Sequence, residues 1–322
     1  MKKQCFGVCA VFLILSGMLS ANEKIKISVK PETGMIYGTV GEYVYFVPED
    51  DEIRKLSQLD WDVRNLWYAG FNLEMTGKDC GVSFYSKFGF SKYSGCMQDY
   101  DWMNAILFPE DNWLTHYSKH ENKITSYYKF GISAGRSFSI VKNFWVKPSI
   151  YLEKDKISFS AYNGYYTYAV EDKNNKYGKI PEEKTAMKGE LISYSQDKNF
   201  IGMGLETGIC FAEKFEFTAD GKIRIANVEA IDCHYLKFIK YKDIPFGYGG
   251  FSCGASCHWM INKNQKISLN ANYDSVPLMI GENFYTDLHS KNWLSSKDKY
   301  GEYLGGVSST FFEASLSYTY TF

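Results

Sequence analysis

Proline is scarce, with 7 in 322 residues, and no Pro-, Gly- or Ser-rich linker or low-complexity segment divides the chain. One domain is therefore expected over residues 22–322. Beyond residue 21 no apolar run approaches the ~18–20 residues that a spanning helix requires, which excludes a helical membrane protein. Charge of one sign is lacking too: 36 Lys and Arg against 37 Asp and Glu leave a formal net charge of −1. Without a basic stripe or tail, nucleic acid is not an expected partner. No serine or cysteine stands where a nucleophile would be suspected. Eight cysteines are present, of which Cys5 and Cys9 fall in the first 21 residues. The remaining six permit up to three disulfides, without choosing among about fifteen pairings. The Cys253-to-Cys257 spacing before His258 is one residue too long for a haem-attachment motif.

What is present begins with an address. Lys2 and Lys3, an apolar stretch from Phe6 to Leu19 and the small residues Ser20-Ala21 describe a secretory signal peptide over residues 1–21. Aromatic residues make up 17% of the chain, with 26 Tyr and 23 Phe, a content typical of barrels with interfacial aromatic girdles. The clearest strand is the last. Leu316, Tyr318, Tyr320 and Phe322 alternate with Ser317, Thr319 and Thr321, as a strand between lipid and a polar lumen should. Ile267, Leu269, Ala271 and Tyr273 alternate in the same way with Ser268, Asn270, Asn272 and Asp274. A soluble sandwich can alternate likewise, but its polar face would normally be charged, whereas this one is mostly small and uncharged.

Turn and loop signals place short connections at residues 76–79, 139–143, 212–214 and 261–265. Long ones are placed at 47–55, 97–122, 161–193, 235–242 and 275–301. The expected fold is thus all-β: a ten-stranded antiparallel transmembrane barrel with short periplasmic turns and long extracellular loops. Several strands exceed the ~9–11 residues that cross a bilayer, so the barrel should project above it.

Two short motifs then share the outer rim. Asp99-Tyr100-Asp101 places both carboxylates on one strand face, and Asp232-Cys233-His234 does the same for an acid and an imidazole. Strands three and seven lie nearly opposite in a ten-strand ring, so the two pairs should meet across the lumen. Imidazole is suited to take a proton near neutral pH. Asp232 can orient His234, while a water held between His234 and Asp99 can act as the nucleophile. Asp101 can share a proton with Asp99, since like charges at close range disfavour double ionisation. Cys233 lies on the opposite face.

The sequence resembles the omptins, outer-membrane proteases with a ten-stranded barrel. The likeness rests on Ser57-Gln58-Leu59-Asp60-Trp61, Asp99-Tyr100-Asp101-Trp102-Met103, the run from Trp113 to Ser118, and His120. It continues through Ser158-Phe159-Ser160-Ala161, Phe200-Ile201-Gly202, Asp232-Cys233-His234-Tyr235 and the closing residues to Phe322. The resemblance implies an aspartate–histidine endopeptidase with Asp99, Asp101, Asp232 and His234 as its catalytic residues. It also implies a bacterial outer-membrane location, polypeptide substrates, no metal or other cofactor, and dependence on lipopolysaccharide or another outer-membrane lipid. A monomer is expected.

Specificity departs from the family pattern. Glu42 matches one acid of the pocket for a basic residue before the cut. The second acid should stand two residues before Asp232, where this chain has Ala230, and Glu229 has the wrong parity. The acid expected to read the residue after the cut falls on His116. Tyr151, Glu153 and Lys242 fit the family's lipid-binding positions, but the arginines expected with them are missing, implying a relaxed lipid dependence. Other readings are a catalytically silent adhesin or host-protein-binding barrel, a passive channel lined by acids, a metal site built from Asp and His, and a merely solvated Glu42. His258 and His289 carry no assigned role.

Overall fold

The computed structural model describes residues 25–48, 52–298 and 301–322; the expected signal peptide lies outside them. Ten long strands close into an antiparallel ring. They are β1 (Lys26–Pro48), β2 (Arg54–Gly77), β3 (Cys80–Gly89 continuing as Lys92–Asp101), β4 (His116–Arg136) and β5 (Phe144–Tyr168). Then follow β6 (Thr185–Ala212), β7 (Phe215–His234), β8 (Ile239–Asn262), β9 (Gln265–Asp287) and β10 (Gly301–Thr321). Each strand pairs with its sequence neighbours, and β10 pairs with β1 to close the ring. Closure leaves no free edge, as a strand protein in lipid requires. Among the described residues no helix is long and apolar enough to cross a membrane.

The short turns fall where the pattern placed them, at 78–79, 142–143, 213–214 and 263–264. The loops are shorter than expected because the strands run on past them. β3 ends at Asp101 and β4 begins at His116, while β8 begins at Ile239 rather than beyond residue 242. The shortest strand, β7, has 20 residues. At ~3.3 Å per residue it is about 66 Å long. With the ~40° tilt usual in barrels it rises about 50 Å along the axis, far more than the ~25 Å apolar band. Exposed apolar side chains mark that band, among them Phe71, Phe84, Met203, Ile223, Leu269 and Leu316. Rimward of Tyr37, Tyr93, Ile223 and Phe246, no large apolar side chain on β1, β3, β7 or β8 is exposed. On those four strands the wall above that level stands clear of lipid.

Two layers fill the lumen. The lower one is a polar cavity of about 530 Å³ lined by ionic side chains. Lys129 lies 3.3 Å from both Glu153 and Asp274, Arg224 bridges the same two acids, and Lys87 lies 2.5 Å from Glu313. Above it sits an apolar plug. Trp61 is wholly buried and stacks on Phe159 at 5.3 Å and Tyr194 at 5.6 Å, with Val40, Met97, Ile124 and Val307 around them. This packing closes the passage that a passive channel would need.

The six cysteines Cys80, Cys96, Cys210, Cys233, Cys253 and Cys257 are all free thiols. Cys253 and Cys257 are exposed on the lipid-facing side of β8, and Cys96 Sγ lies 3.4 Å from Asp62 Oδ2.

Candidate active site in the barrel mouth

A bulge aims the first acid pair inward. Gly95 adopts φ +65°, and the β3–β4 register slips between Tyr93 and Cys96. The slip inserts an extra residue, so buried Ser94 is followed by buried Met97 and Asp99 rather than by positions of the same parity. A Cβ at position 95 would collide with the Asp62 carboxylate, which accepts a hydrogen bond from Cys96 N at 3.1 Å. Glycine is thus required there both for its backbone and for its lack of bulk. Beyond the bulge, Asp99 pairs in register with Leu59 on β2 and Ser118 on β4, and Asp101 with Ser57 and His116. His120, two residues from Ser118, is buried. Its Nε2 lies 2.7 Å from Ser118 Oγ and its Nδ1 2.5 Å from the Asn163 carbonyl, which fixes that wall.

The second pair ends β7. His234 Nε2 stands 2.5 Å from Asp232 Oδ2, and Asp232 is buried with Oδ1 unpartnered. The Tyr241 ring meets the imidazole edge-on at 5.8 Å and limits its swing. Cys233 has the opposite parity and pairs with Ser193 and Lys240.

Glu42 on β1 is opposite Leu59, which is itself opposite Asp99. The two acids therefore share a row about two strand spacings, or ~10 Å, apart. Glu42 is only 2% exposed and its Oε2 has no hydrogen-bond partner. It is not a solvated rim carboxylate. It stands just above the Trp61 plug, which walls it from the water below.

Burial, then the charges of Asp101 and Asp232, push the Asp99 carboxyl well above the usual carboxylate range, while Lys237 and the Ser57 hydroxyl oppose the shift. That Asp99 responds to Asp232 places the two pairs within electrostatic reach across the lumen. Burial, then Asp232, Asp243 and Asp99, raise Glu42 in the same sense. The mouth thus concentrates carboxyls that cannot all ionise together. Among the described residues, no group of three or more His, Cys, Asp or Glu is arranged to hold a metal ion.

The remaining expected positions divide. His116 lines the mouth next to Asp101, with its ring against Tyr168 at 4.5 Å and Tyr177 at 5.1 Å. Burial pushes its imidazole below the ordinary value, with Asp101 opposing. Ala230 is fully buried and faces inward. Tyr151 and Glu153 correct the lipid-binding expectation. Both are buried inside the barrel, where Glu153 accepts a hydrogen bond from the Tyr85 hydroxyl at 2.5 Å and pairs with Lys129 and Arg224. Their strand parity points them away from lipid. Lys242 does lie on the outer wall, 5.4 Å from the Phe284 ring and 4.6 Å from that of Trp293.

The sequence reading missed Asp243. It is the register partner of Ala230, is 3% exposed, and accepts a hydrogen bond from Asn283 Nδ2 at 2.7 Å. Burial pushes its carboxyl up to about 7, and Asp232 adds to the shift. Counting outward from the 235–238 turn would have paired 243 with 230.

A family model described as the Omptin family matches residues 23–322. The plasminogen activator of Yersinia pestis is 23% identical over 293 residues, covering 85% of this chain and 86% of that protein. The crystal structure of the outer membrane protease OmpT from Escherichia coli has the same fold, with a TM-score of 0.77 at 21% identity. It covers 92% of this chain and 97% of that one. With nearly its whole length matched, the chain belongs to the omptin family of outer-membrane proteases.

Proposed function

We propose that this protein is an endopeptidase that cuts extracellular polypeptides after a basic residue, using a water activated by His234 and Asp232 and held against Asp99. The observation that carries the reading is the 2.5 Å contact between His234 Nε2 and Asp232 Oδ2, opposite an acid whose carboxyl responds to Asp232. His234 takes a proton from the water as its oxygen attacks the scissile carbonyl, and Asp232 stabilises the imidazolium formed. The same proton then passes to the departing amine as the tetrahedral intermediate breaks. Burial raises the Asp99 carboxyl so that it can keep its proton, and Asp99 can then orient the water beside Asp101 and donate to the developing oxyanion.

Glu42 receives the basic side chain before the cut; a buried carboxylate lacking a cationic partner is suited to a guanidinium or ammonium group. His116, held uncharged by burial between Tyr168 and Tyr177, offers no acid to the following residue, which is therefore loosely selected. The lipid dependence implied by the resemblance is relaxed, because Tyr151 and Glu153 face the lumen and only Lys242 of the three lies outside. Residues 1–21 serve as the export signal, and residues 22–322 form one domain. Sequencing the products of a randomised peptide library tests the specificity. Cuts concentrated after Arg or Lys are expected, and cuts scattered without a preceding basic residue would sink the reading.

A further inference from the structure

The position two residues before Asp232 would be the natural place for a second acid beside Glu42, and it holds Ala230. Alanine leaves space but no charge. Directly across the β7–β8 ladder from it stands Asp243. Register partners in an antiparallel pair carry their side chains on the same face, so Asp243 points into the space that Ala230 leaves open. Its carboxylate also reaches towards β10, where a Cβ on Gly305 would fall on it. Gly305 pairs with Val44 on β1, two residues from Glu42. Asp243 is therefore bent towards the strand that carries Glu42, and each raises the demand for a counter-charge in one small volume.

We propose that Asp243 supplies the second acid of the pocket for the basic residue before the cut, a specificity-determining role moved from β7 to β8. This rests on the endopeptidase reading above and assigns a residue to it. The groups facing Asp243 are Asp232 and Ala230 on β7, Tyr194 on β6, Asn283 on β9, Gly305 on β10, Glu42 on β1 and Tyr241 on its own strand. None is a cation. Asn283 donates one hydrogen bond to Oδ1 and so fixes the orientation of the carboxylate, leaving Oδ2 for a ligand. An Arg or Lys side chain bound between Glu42 and Asp243 would offset the repulsion that burial imposes on both. With the Asp243 carboxyl raised to about 7 in the empty pocket, binding of a cation should expel a proton. Affinity should then rise with pH up to that value and level off above it.

The test compares detergent-refolded wild type with Asp243→Asn. Asparagine keeps the shape and can still accept from Asn283, and it removes a charge that the fold does not balance, so the variant should fold as a heat-stable barrel. Two matched peptides are used, one with arginine and one with its uncharged isostere citrulline before the scissile bond. The ratio of their kcat/KM values should fall at least ~30-fold in Asp243→Asn, as expected when one partner of a charged hydrogen-bonded contact is lost. Inhibition of the wild type by benzamidine should tighten between pH 5 and 7.5, and that slope should flatten in the variant. Ala230→Asp placed in the Asp243→Asn background should restore the ratio. An unchanged arginine-to-citrulline ratio in a folded, active Asp243→Asn would overturn the assignment. Failure of the endopeptidase reading looks different, since wild type itself would then cut neither peptide.

Discussion

The lower lumen and the mouth are both rich in buried acids, yet they handle them in opposite ways. In the lower lumen Glu153, Asp274 and Glu313 each stand against Lys129, Arg224 or Lys87. In the mouth Glu42, Asp99 and Asp232 each leave a buried oxygen without a partner, and Asp243 has only an amide. Matched ions inside a protein roughly repay the cost of leaving water, whereas unmatched ones do not. The first region is therefore built for structure. On the function proposed above, the second holds its carboxyls in reserve for a nucleophilic water, an imidazolium and the cationic side chain of a substrate.

The contrast should break most visibly at the proposed catalytic pairs. Asp99→Asn and His234→Ala should each lower kcat/KM by at least ~10²–10⁴-fold, the span attributed to positioned acid–base groups. Heat-modifiable migration of the folded barrel on gels should stay unchanged. Undiminished turnover in either purified variant would refute the assignment. The reverse pattern is expected below the plug. Arg224→Met leaves Glu153 and Asp274 to the single ammonium of Lys129 and should cost about 1.5–3 kcal/mol of stability. Urea or thermal unfolding would register that loss, with peptide cleavage preserved at temperatures where the barrel remains folded.

A third, smaller effect concerns pH. Asp243 titrates near 7 in the folded protein against roughly 3.9 in an unfolded chain. Because the folded state holds the extra proton, this group's contribution to stability is full below pH ~4 and is lost as pH rises to about 7. Asp243→Asn should remove that decline, which unfolding midpoints measured from pH 4 to 8 would show. A variant with the same slope as wild type would mean that Asp243 is not the group responsible. Smallest of all is the lipid effect. Adding lipopolysaccharide to refolded protein should change kcat/KM by no more than a few-fold, and Lys242→Ala should blunt even that; strict dependence on the lipid would contradict the relaxed contacts.

How much of this could be read from the sequence follows from what period-two patterns encode. The alternation ending at Tyr318 and Tyr320 and the four short turns were legible because lipid and lumen impose opposite demands on successive residues. The pairs Asp99/Asp101 and Asp232/His234 were legible because spacing alone puts each on one face. Orientation was harder where both faces are charged. Tyr151 and Glu153 lie on an unbroken inward alternation with Asp155, Ile157 and Phe159, but Lys154 and Lys156 on the other face gave no sign of which side met lipid. Asp243 was hidden by a turn with no turn signature. Residues 235–238 contain no Gly, Asn, Asp or Pro, and the left-handed position, φ +52°, is taken by Phe238. Bulky residues seldom adopt that conformation, so the strand looked as if it began several residues later.

The stacked rings of Trp61, Phe159 and Tyr194 have a consequence for the cell as well as for catalysis. A wide tube through the outer membrane would let ions and antibiotics leak inward, and its mouth would be flooded from both sides. With an aromatic stopper halfway down, the permeability barrier survives the presence of the enzyme. Hydrolysis at the surface is thereby uncoupled from transport.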